Sequence, residues 1–99
     1  IGPNVILDGP GGLEIGNYVS ISSGVQIDSH HTVDWSNSLG KKPIKKKKTK
    51  IGNGVYLGPN SIVQMGTTIG DKAIIGAMSF VNKDVPKNKK WYMNKLYKE

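Results

Sequence analysis

The stretch IGNGVYLGPNSIVQMGTTIGDKAIIGAMSFV, residues 51–81, decides the fold because its pattern repeats every six residues. Every sixth position of this stretch carries an aliphatic side chain: Ile51, Leu57, Val63, Ile69, Ile75 and Val81. Glycine usually follows the aliphatic residue, and the fifth position of each hexad is small or β-branched. An even period suits β-strands, whose side chains alternate between two faces, and suits a helix of about 3.6 residues per turn badly. The repeat therefore predicts short strands joined by regular corners.

The same pattern extends towards the N terminus. Hexads begin at Ile15, Ile21 and Ile27, and an earlier stretch places aliphatic residues at Ile1 and Leu7. About three hexads close one triangular coil, and successive coils stack roughly 4.8 Å apart by parallel strand pairing. The sequence thus predicts an all-β solenoid with an aliphatic ladder inside it.

This pattern resembles the hexapeptide-repeat acyltransferases, and among them the bacterial sugar O-acetyltransferases. Nine hexads in one frame carry the resemblance, together with IGAMSFVNKDVP at residues 75–86. The resemblance implies a left-handed parallel β-helix over residues 1–86 and a homotrimer with its sites between subunits. The hand comes from the resemblance alone, since the general rule for parallel crossovers favours the opposite one. Residues 87–99 are expected to form a short helical tail that caps the last coil.

The hexad pattern lapses between His31 and Lys50. Lys45 stands where the frame requires an aliphatic residue, and half of the fourteen lysines fall between Lys41 and Lys50. We therefore expect residues 32–50 to form one loop extruded from the coil. Loops of this length are usually functional or disordered. In sugar O-acetyltransferases similar to this chain, a comparable loop covers the acceptor site of an adjacent subunit. A solvated disordered insertion and an electrostatic funnel for an anionic ligand are the alternatives.

Composition narrows the class of partner. The net charge of +7 comes from lysine, because the chain has no arginine, and the basic stretch at residues 41–50 contains no aromatic residue. Proteins that bind nucleic acid usually supply both residue types, so no nucleic-acid partner is expected. The chain has no cysteine, which excludes a disulfide framework and a cysteine nucleophile. No apolar run is long enough to span a bilayer, and a cytoplasmic location is expected.

The only two histidines, His30 and His31, are adjacent and stand where the repeat breaks. The frame assigns His31 to the fifth hexad position, which faces a cramped interior. Either the backbone leaves the coil there, or His31 is a buried structural residue. His30 falls at a corner position that points outward, and the resemblance places the catalytic histidine at the same position. We predict His30 as the general base, with His31 as the alternative.

Transfer of an acetyl group from a thioester to a hydroxyl requires such a base, because an alcohol is a poor nucleophile at neutral pH. Histidine titrates in the right range, and its second ring nitrogen needs a carbonyl or carboxylate that fixes the tautomer. Asp28 and Asp34 are the nearby carboxylates in the sequence. The resemblance implies acetyl-CoA as co-substrate and direct attack by the acceptor, without an acyl-enzyme.

The resemblance also implies two sets of binding residues. The acetyl-CoA contacts map onto Pro59, Ala77, Asn82 and Lys83, although corner geometry explains Pro59 and Ala77 equally well. The acceptor candidates are Asp8, for a sugar hydroxyl, and Trp35, for stacking on a pyranose ring. A Gly-x-Pro-Ala segment that commonly contacts the adenine in this family has no counterpart here.

The stretch ILDGPGGLEIG, residues 6–16, resembles members from bacterial polysaccharide assembly, so a cell-envelope sugar is the preferred acceptor. Three other functions compete with this one. A γ-type carbonic anhydrase shares the fold but needs three histidines gathered at a subunit interface, whereas adjacent strand residues point to opposite faces. A non-catalytic scaffold would bind polyanions through the lysine loop. An N-acetyltransferase of an amino sugar would depend less on histidine, because a deprotonated amine is already nucleophilic.

Overall fold

A computed structural model of the chain describes residues 1–92 and 94–98. Most of its strands are two or three residues long and form the rungs of a parallel β-helix. In chain order the strands are β1 (Ile6–Leu7), β2 (Leu13–Ile15), β3 (Ser20–Ile21), β4 (Gln26–Ile27), β5 (His30–His31), β6 (Lys45–Lys46), β7 (Thr49–Ile51), β8 (Tyr56–Leu57), β9 (Ile62–Val63), β10 (Thr68–Ile69), β11 (Ile74–Ile75), β12 (Phe80–Val81), β13 (Lys89–Tyr92) and β14 (Lys95–Lys98). The described residues include one helix, α1 (Val33–Asn37), and no helix there is long and apolar enough to cross a membrane.

Three sheets form the faces of the β-helix. Face A contains β1, β4, β9 and β12 in that order, face B contains β2, β7 and β10, and face C contains β3, β8, β11, β13 and β14. Equivalent positions of successive coils pair in register, so that Ile27 pairs with Leu7 on one side and with Val63 on the other. This parallel stacking confirms the all-β solenoid that the repeat predicts.

The aliphatic ladder is the core of the molecule. The buried residues at the first hexad position are Ile21, Ile27, Ile51, Leu57, Val63, Ile69, Ile75 and Val81. Residues at the fifth position, such as Val55 and Ala73, are buried between the rungs. A buried hydroxyl at this position finds a backbone acceptor, as when Ser61 Oγ donates to the carbonyl of Gly58 at 2.8 Å. Side chains alternate along each strand, so the residue before each ladder position faces outward.

Where glycine follows a ladder residue, the stacking of corners requires it. A Cβ on Gly58 would lie 2.6 Å from the backbone nitrogen of Ala77 in the next coil, and one on Gly70 would lie 2.4 Å from that of Lys87. Coils that pair directly leave no room for a side chain at these points. At these corners close packing determines the residue at the second hexad position, whereas burial determines the residue at the first.

The extruded loop is shorter than the range expected for it, residues 32–50, and it contains a helix and a strand. Thr49 is fully buried as the first residue of β7, so the coil resumes there. Before it, β5 and β6 form an antiparallel ribbon in which His30 pairs with Lys46 and His31 with Lys45. We call residues 32–48 the excursion. Lys45 interrupts the hexad frame without cost because it lies in this ribbon, outside the coil.

The expected short C-terminal helical tail is wrong. β13 runs parallel to β11 and extends face C, and β14 turns back antiparallel to it. Trp91 pairs with Ile75, is 3% exposed, and donates its Nε1–H to the carbonyl of Phe80 at 3.2 Å. A strand satisfies the open backbone edge of β11, which a helix would leave unpaired. Positions 93 and 99 of the expected tail lie outside the described residues.

We predict that Ile69→Ala lowers the free energy of unfolding by about 2–5 kcal/mol, because it opens a cavity in the ladder. Thr68→Ala is the matched control, since Thr68 is the exposed neighbour on the same strand, and it should change the free energy by less than about 1 kcal/mol. Urea unfolding at fixed protein concentration measures both. Equal losses for the two variants would contradict the inward and outward assignment of β10.

Candidate active site

An imidazole and a carboxylate meet where the chain leaves the β-helix. His30 Nδ1 lies 2.5 Å from Asp8 Oδ2, and the two side chains are 29% and 21% exposed, respectively. The pair is thus partly shielded but accessible from solvent. A histidine held by a carboxylate through one ring nitrogen is the arrangement that a general base requires.

Stacking of the coils brings the two residues together across 22 positions of sequence. Asp8 directly follows β1, and its backbone N–H donates to the carbonyl of Ile27 at 2.9 Å. Asp8 is therefore fixed to the end of β4, and His30 comes three residues after Ile27 as the chain turns into the ribbon. The carboxylate comes from one coil and the imidazole from the next.

A buried serine holds Asp8 in place. Ser29 is fully buried, its N–H donates to Asp8 Oδ2 at 3.2 Å, and its Oγ donates to the Asp8 carbonyl at 2.6 Å. The Gly11 N–H donates in turn to Ser29 Oγ at 2.9 Å. A Cβ at Gly11 would clash with the Ser29 carbonyl, so this close approach requires glycine. The orientation of Asp8 therefore does not depend on His30.

Opposing effects act on the pKa of Asp8. Burial raises the pKa, whereas the hydrogen bonds from the Ser29 N–H and from His30, and the charge of His30, lower it to below its ordinary value of 3.8. The carboxylate is therefore charged at neutral pH and favours a proton on Nδ1 of His30. This tautomer leaves Nε2 of His30 with a free lone pair, ready to accept a proton.

His31 does not join this pair. It is the second residue of β5, and adjacent residues of a strand point to opposite sides. Of the two outcomes left open by the hexad frame, the backbone departs from the coil, since the residue that faces the interior is Ser29. His31 Nδ1 is buried without a hydrogen-bond partner among the described residues.

The two carboxylates nearest to His30 in sequence are not its partners. Asp28 Oδ1 accepts a hydrogen bond from Gln26 Nε2 at 2.9 Å, and Asp34 lies in the first turn of α1. The ring is held instead by Asp8, which the resemblance suggested for acceptor binding. Its carboxylate comes from the preceding coil, and neighbours in sequence point elsewhere because the chain turns outward at this point.

The predicted acetyl-CoA residues lie at the two corners that flank face A. Pro59 and Ala77 occupy successive coils at the corner between faces C and A, where the Met78 N–H donates to the Pro59 carbonyl at 2.8 Å. Asn82 and Lys83 follow β12 at the other corner and are exposed. The structure thus brings the residues together in two pairs rather than in one cluster.

Asn82 shares its corner with the candidate base. The residues that follow the strands of face A, in the order of the coils, are Asp8, Asp28, Gln64 and Asn82. Three rungs separate the first from the last, which corresponds to about 14 Å along the axis of the β-helix. Asn82 and Lys83 are therefore on the same edge of the molecule as His30, two rungs from the coil to which His30 belongs.

Trp35 lies on α1, outside the corner that holds His30 and Asp8. Its side chain packs over Gly40 and is 49% exposed. The Gly40 N–H also donates to the Trp35 carbonyl at 2.7 Å, which closes the turn after α1. The structure places Trp35 in the excursion, whereas Asp8, the other predicted acceptor residue, belongs to a coil of the β-helix.

Sequence reasoning missed two buried hydroxyls at the base of the excursion. Ser29 is one, and Thr49 is the other: its Oγ1 donates to the Asp28 carbonyl at 2.6 Å and accepts from the Gly66 N–H at 3.0 Å. They hold the points where the chain leaves the coil and returns to it. For Ser29 a signal was present, because it continues the buried alternation of Val25 and Ile27.

A shallow open groove on face B differs from the corner of His30 and Asp8 in the residues that line it. Its lining includes Glu14, Lys50, Thr68, Asp71 and Lys87. The groove carries both signs of charge and contains none of the residues predicted for catalysis or binding. We therefore do not assign it to the site.

The profile of the bacterial transferase hexapeptide family (six repeats) matches residues 48–83. The galactoside O-acetyltransferase of Escherichia coli K12 is 35% identical over 81 residues, which span 77% of this chain and 37% of that protein. A chloramphenicol acetyltransferase of Morganella morganii is 33% identical over 91 residues, spanning 74% of this chain and 43% of that protein. The chain therefore spans less than half the length of these two relatives.

Solved structures agree with this likeness. A maltose O-acetyltransferase from Clostridium difficile 630 matches with a TM-score of 0.76 and 31% identity, covering 99% of this chain and 58% of the other. The hexapeptide-repeat acetyltransferase VCA0836 of Vibrio cholerae, complexed with acetyl-CoA, matches with a TM-score of 0.83 and 26% identity over 94% of this chain and 51% of the other. The N-acyltransferase AntD of Bacillus cereus shares the fold, with a TM-score of 0.85 at 21% identity, covering 99% of this chain and 57% of the other. The chain belongs to the hexapeptide-repeat acetyltransferase family.

Proposed function

We propose that this chain is the catalytic β-helix of an acetyl-CoA-dependent sugar O-acetyltransferase in which His30 is the general base. The observation that carries the proposal is the contact of 2.5 Å between His30 Nδ1 and Asp8 Oδ2, at the corner where the chain leaves the coil. The likeness to galactoside and maltose O-acetyltransferases supports the class of reaction. The complex of VCA0836 with acetyl-CoA supports the choice of donor.

The reaction requires a correctly oriented general base. His30 Nε2 accepts the proton of the acceptor hydroxyl while its oxygen attacks the thioester carbonyl carbon of acetyl-CoA. The C–S bond of the tetrahedral intermediate then breaks, and the departing sulfur takes up the proton from Nε2, which yields the ester and free CoA. Asp8 stabilises the imidazolium that forms between these two proton transfers. No group of the protein becomes acylated.

The donor is proposed to lie along face A, between its two corners. Ala77 is exposed and offers its backbone there, and Asn82 and Lys83 are exposed at the corner that leads to His30. Lys83 would meet a phosphate of the nucleotide by charge. The column of corner residues between Asn82 and Asp8 gives the donor a path along the axis towards the base.

A homotrimer with sites between subunits is part of the proposal. Face A presents an outward row that includes Ile6 (55% exposed), Ile62 (37%) and Phe80 (40%), and face C presents Tyr56 (41%). A row of exposed apolar side chains of this kind is usual where copies of a chain associate. A partner copy against face A would close the donor path from solvent.

The acceptor is proposed to be a cell-envelope sugar, acetylated in the cytoplasm where acetyl-CoA is available. Asp8 Oδ2 contacts His30, yet the Asp8 side chain remains 21% exposed, so it is also accessible to a sugar hydroxyl. Trp35 is proposed to stack on a pyranose ring delivered to the excursion, as its 49% exposure permits. Both roles rest on the resemblance and on these exposures.

Two other functions are distinguished by experiment. Transfer to an amino sugar is represented among similar folds by AntD. An amine that is already deprotonated needs a base less, so amine acetylation would survive the loss of His30. A scaffold that binds polyanions is favoured by the lysines of the excursion, five of which form no ion pair among the residues that the structure describes, and it would show no affinity for acetyl-CoA.

We predict that His30→Ala lowers kcat/KM for a sugar hydroxyl by about 10²–10⁴-fold, because it removes the general base. His31→Ala is the matched control and should lower it by less than about tenfold, since the neighbouring ring points away from the pair. Initial rates of CoA release, measured with and without acceptor, give both values. Equal losses in the two variants, or activity that persists on hydroxyl acceptors without His30, would contradict the assignment.

We predict saturable binding of acetyl-CoA near one site per chain, and none of ATP at the same concentration and moderate salt. Lys83→Gln should weaken acetyl-CoA binding by about twofold to fivefold, as an exposed charge contact does. Lys72→Gln, an exposed lysine at a different corner, should leave it unchanged. Calorimetric titration measures all three. Equal affinity for ATP would favour the polyanion-binding scaffold over the acetyltransferase.

We predict that Asp8→Asn makes the protein less stable than wild type at pH 6, with the difference shrinking as the pH falls below about 3.8. The folded pKa of Asp8 is below the ordinary value of 3.8, so the charged carboxylate contributes stability above that pH. This contribution is lost as the pH falls through the folded pKa. Urea unfolding of both proteins between pH 6 and pH 3 tests the sign. A difference that grows in acid would contradict it.

A further inference from the structure

A lysine is the direct cross-strand neighbour of the candidate base. In the antiparallel ribbon of β5 and β6, His30 pairs with Lys46, and His31 pairs with Lys45. Directly paired residues of such a ribbon carry their side chains on the same face, with Cβ atoms about 4.5–5.5 Å apart. The side chain of Lys46 is therefore on the same face as the ring of His30, whereas Lys45 shares the opposite face with His31.

Lys47 adds a second positive charge to the same corner of the β-helix. Its backbone N–H donates to the carbonyl of Ser29 at 2.9 Å, which ties it to the residue that precedes His30. Its aliphatic stem lies over Gly66 in the next coil, where an added Cβ would be 2.5 Å from Cδ of Lys47. The two lysines thus flank the base, one across the ribbon and one at the corner.

The carboxylates near this corner do not neutralise these two lysines. Three of them have partners of their own: Asp8 with His30, Asp28 with Gln26, and Glu14 with Lys48. A fourth, Asp34 on α1, is not within ion-pair distance of Lys46 or Lys47. Among the residues that the structure describes, neither lysine forms an ion pair, so both are left for a ligand.

We propose that the sugar acetylated at this site carries a negatively charged group, a phosphate or a carboxylate, near the hydroxyl that reacts. This inference rests on the proposed acetyl transfer at His30 and names the class of its acceptor. Lys46 binds the anionic group while Nε2 of His30 meets the hydroxyl, and Lys47 adds attraction at the corner. A hydrogen bond between an ammonium and an oxyanion is about twice as strong as a neutral one, so Lys46 orients the sugar as well as binding it.

The negative charge at this point belongs to the acceptor and not to the donor. In the proposed reaction the thioester carbon of acetyl-CoA is attacked next to His30, and the pantetheine arm holds the donor phosphates away from that carbon. The residue proposed to meet a donor phosphate, Lys83, accordingly lies two rungs from the coil of His30. An anion beside Lys46 therefore comes from the second substrate.

The placement of Lys46 is compatible with the proposed trimer. It depends on the register of β5 and β6 within one chain, so it does not require the lysine to be uncovered in the assembly. A partner copy that closes over the corner excludes water, which strengthens the attraction between an ammonium and an anion. Covering an ammonium without a counter-charge is costly, so a covered site favours an anionic acceptor more strongly than an open one.

Matched acceptors test the inference on the full chain. We expect kcat/KM for transfer from acetyl-CoA to be about tenfold higher or more for glucose 1-phosphate or glucuronate than for glucose, with the same order in the galactose series. The two anions separate a phosphate from a carboxylate as the group that is recognised. Lys46→Gln should lower the ratio of kcat/KM between charged and neutral acceptors by about tenfold, and Lys46→Arg, which keeps the charge, should retain most of it.

The matched control is Lys45→Gln, which removes the same charge from the adjacent residue, on the opposite face of the ribbon. It should change the ratio by less than about twofold, because a more distant charge is screened. Equal losses in Lys45→Gln and Lys46→Gln would overturn the inference, since the overall charge of the excursion would then explain the preference. A loss in Lys46→Gln that is the same for charged and neutral acceptors would also overturn it, because the lysine would then act on the tetrahedral intermediate that both acceptors share.

A binding measurement separates this inference from the proposed acetyl transfer. In His31→Ala protein, where His30 is the only histidine, the ring resonances of His30 report a ligand at the base without turnover. We expect glucose 1-phosphate and inorganic phosphate to shift them saturably at about 1–10 mM, with glucose much weaker, and Lys46→Gln to weaken this binding by about fivefold to tenfold.

The two measurements together distinguish the possible failures. Saturable shifts without acetyl transfer to any sugar would support the anion site and contradict the proposed function. Acetyl transfer to neutral sugars at the rates of charged ones, together with no shift from either anion, would overturn the anion site and leave the proposed function standing. Shifts that persist unchanged in Lys46→Gln would overturn the assignment of this lysine as the residue that selects a charged acceptor.

Discussion

The constraint on which the whole structure depends is the in-register stacking of coils. Each rung places one aliphatic side chain directly over the next, so the core is a ladder of single residues such as Ile27, Val63 and Val81. At corners such as Gly58 and Gly70 the next coil lies so close that only glycine fits. The chain has little choice of register, since a shift by one residue would turn the whole ladder outward.

The candidate site is a consequence of that stacking. Asp8 and His30 belong to different coils and meet because β1 and β4 are in register. His30 points outward where the repeat breaks, and the buried Ser29 beside it donates to the carboxylate and to the carbonyl of Asp8. The scaffold thus presents a candidate base that is held by the Asp8 carboxylate, which Ser29 fixes in turn, and acid–base catalysis requires such support. The candidate site thus lies at the point where the hexad repeat is interrupted.

Much of the fold was predictable because single positions carry strong physical signals. Burial of Leu57 and the close approach at Gly58 are each dictated by one residue type. The hand of the coil was not predictable in this way, and came from the resemblance alone. The tail was misjudged because Trp91 was interpreted as part of a helical pattern, whereas the unpaired edge of β11 recruits it as a strand. The partner of His30 was missed because it depends on which coils stack, a property of the folded chain rather than of neighbouring residues.

We infer that Asp8 fixes the proton of His30 on Nδ1 and leaves Nε2 free to act as the base. The most direct measurement is ¹⁵N correlation NMR of the imidazole above its titration range, in His31→Ala protein, where His30 is the only histidine. We expect that Nδ1 carries the proton and Nε2 does not, and that Asp8→Asn weakens this preference. A neutral ring protonated on Nε2 would contradict the role of His30 as the base, because the nitrogen needed to accept the hydroxyl proton would already be occupied.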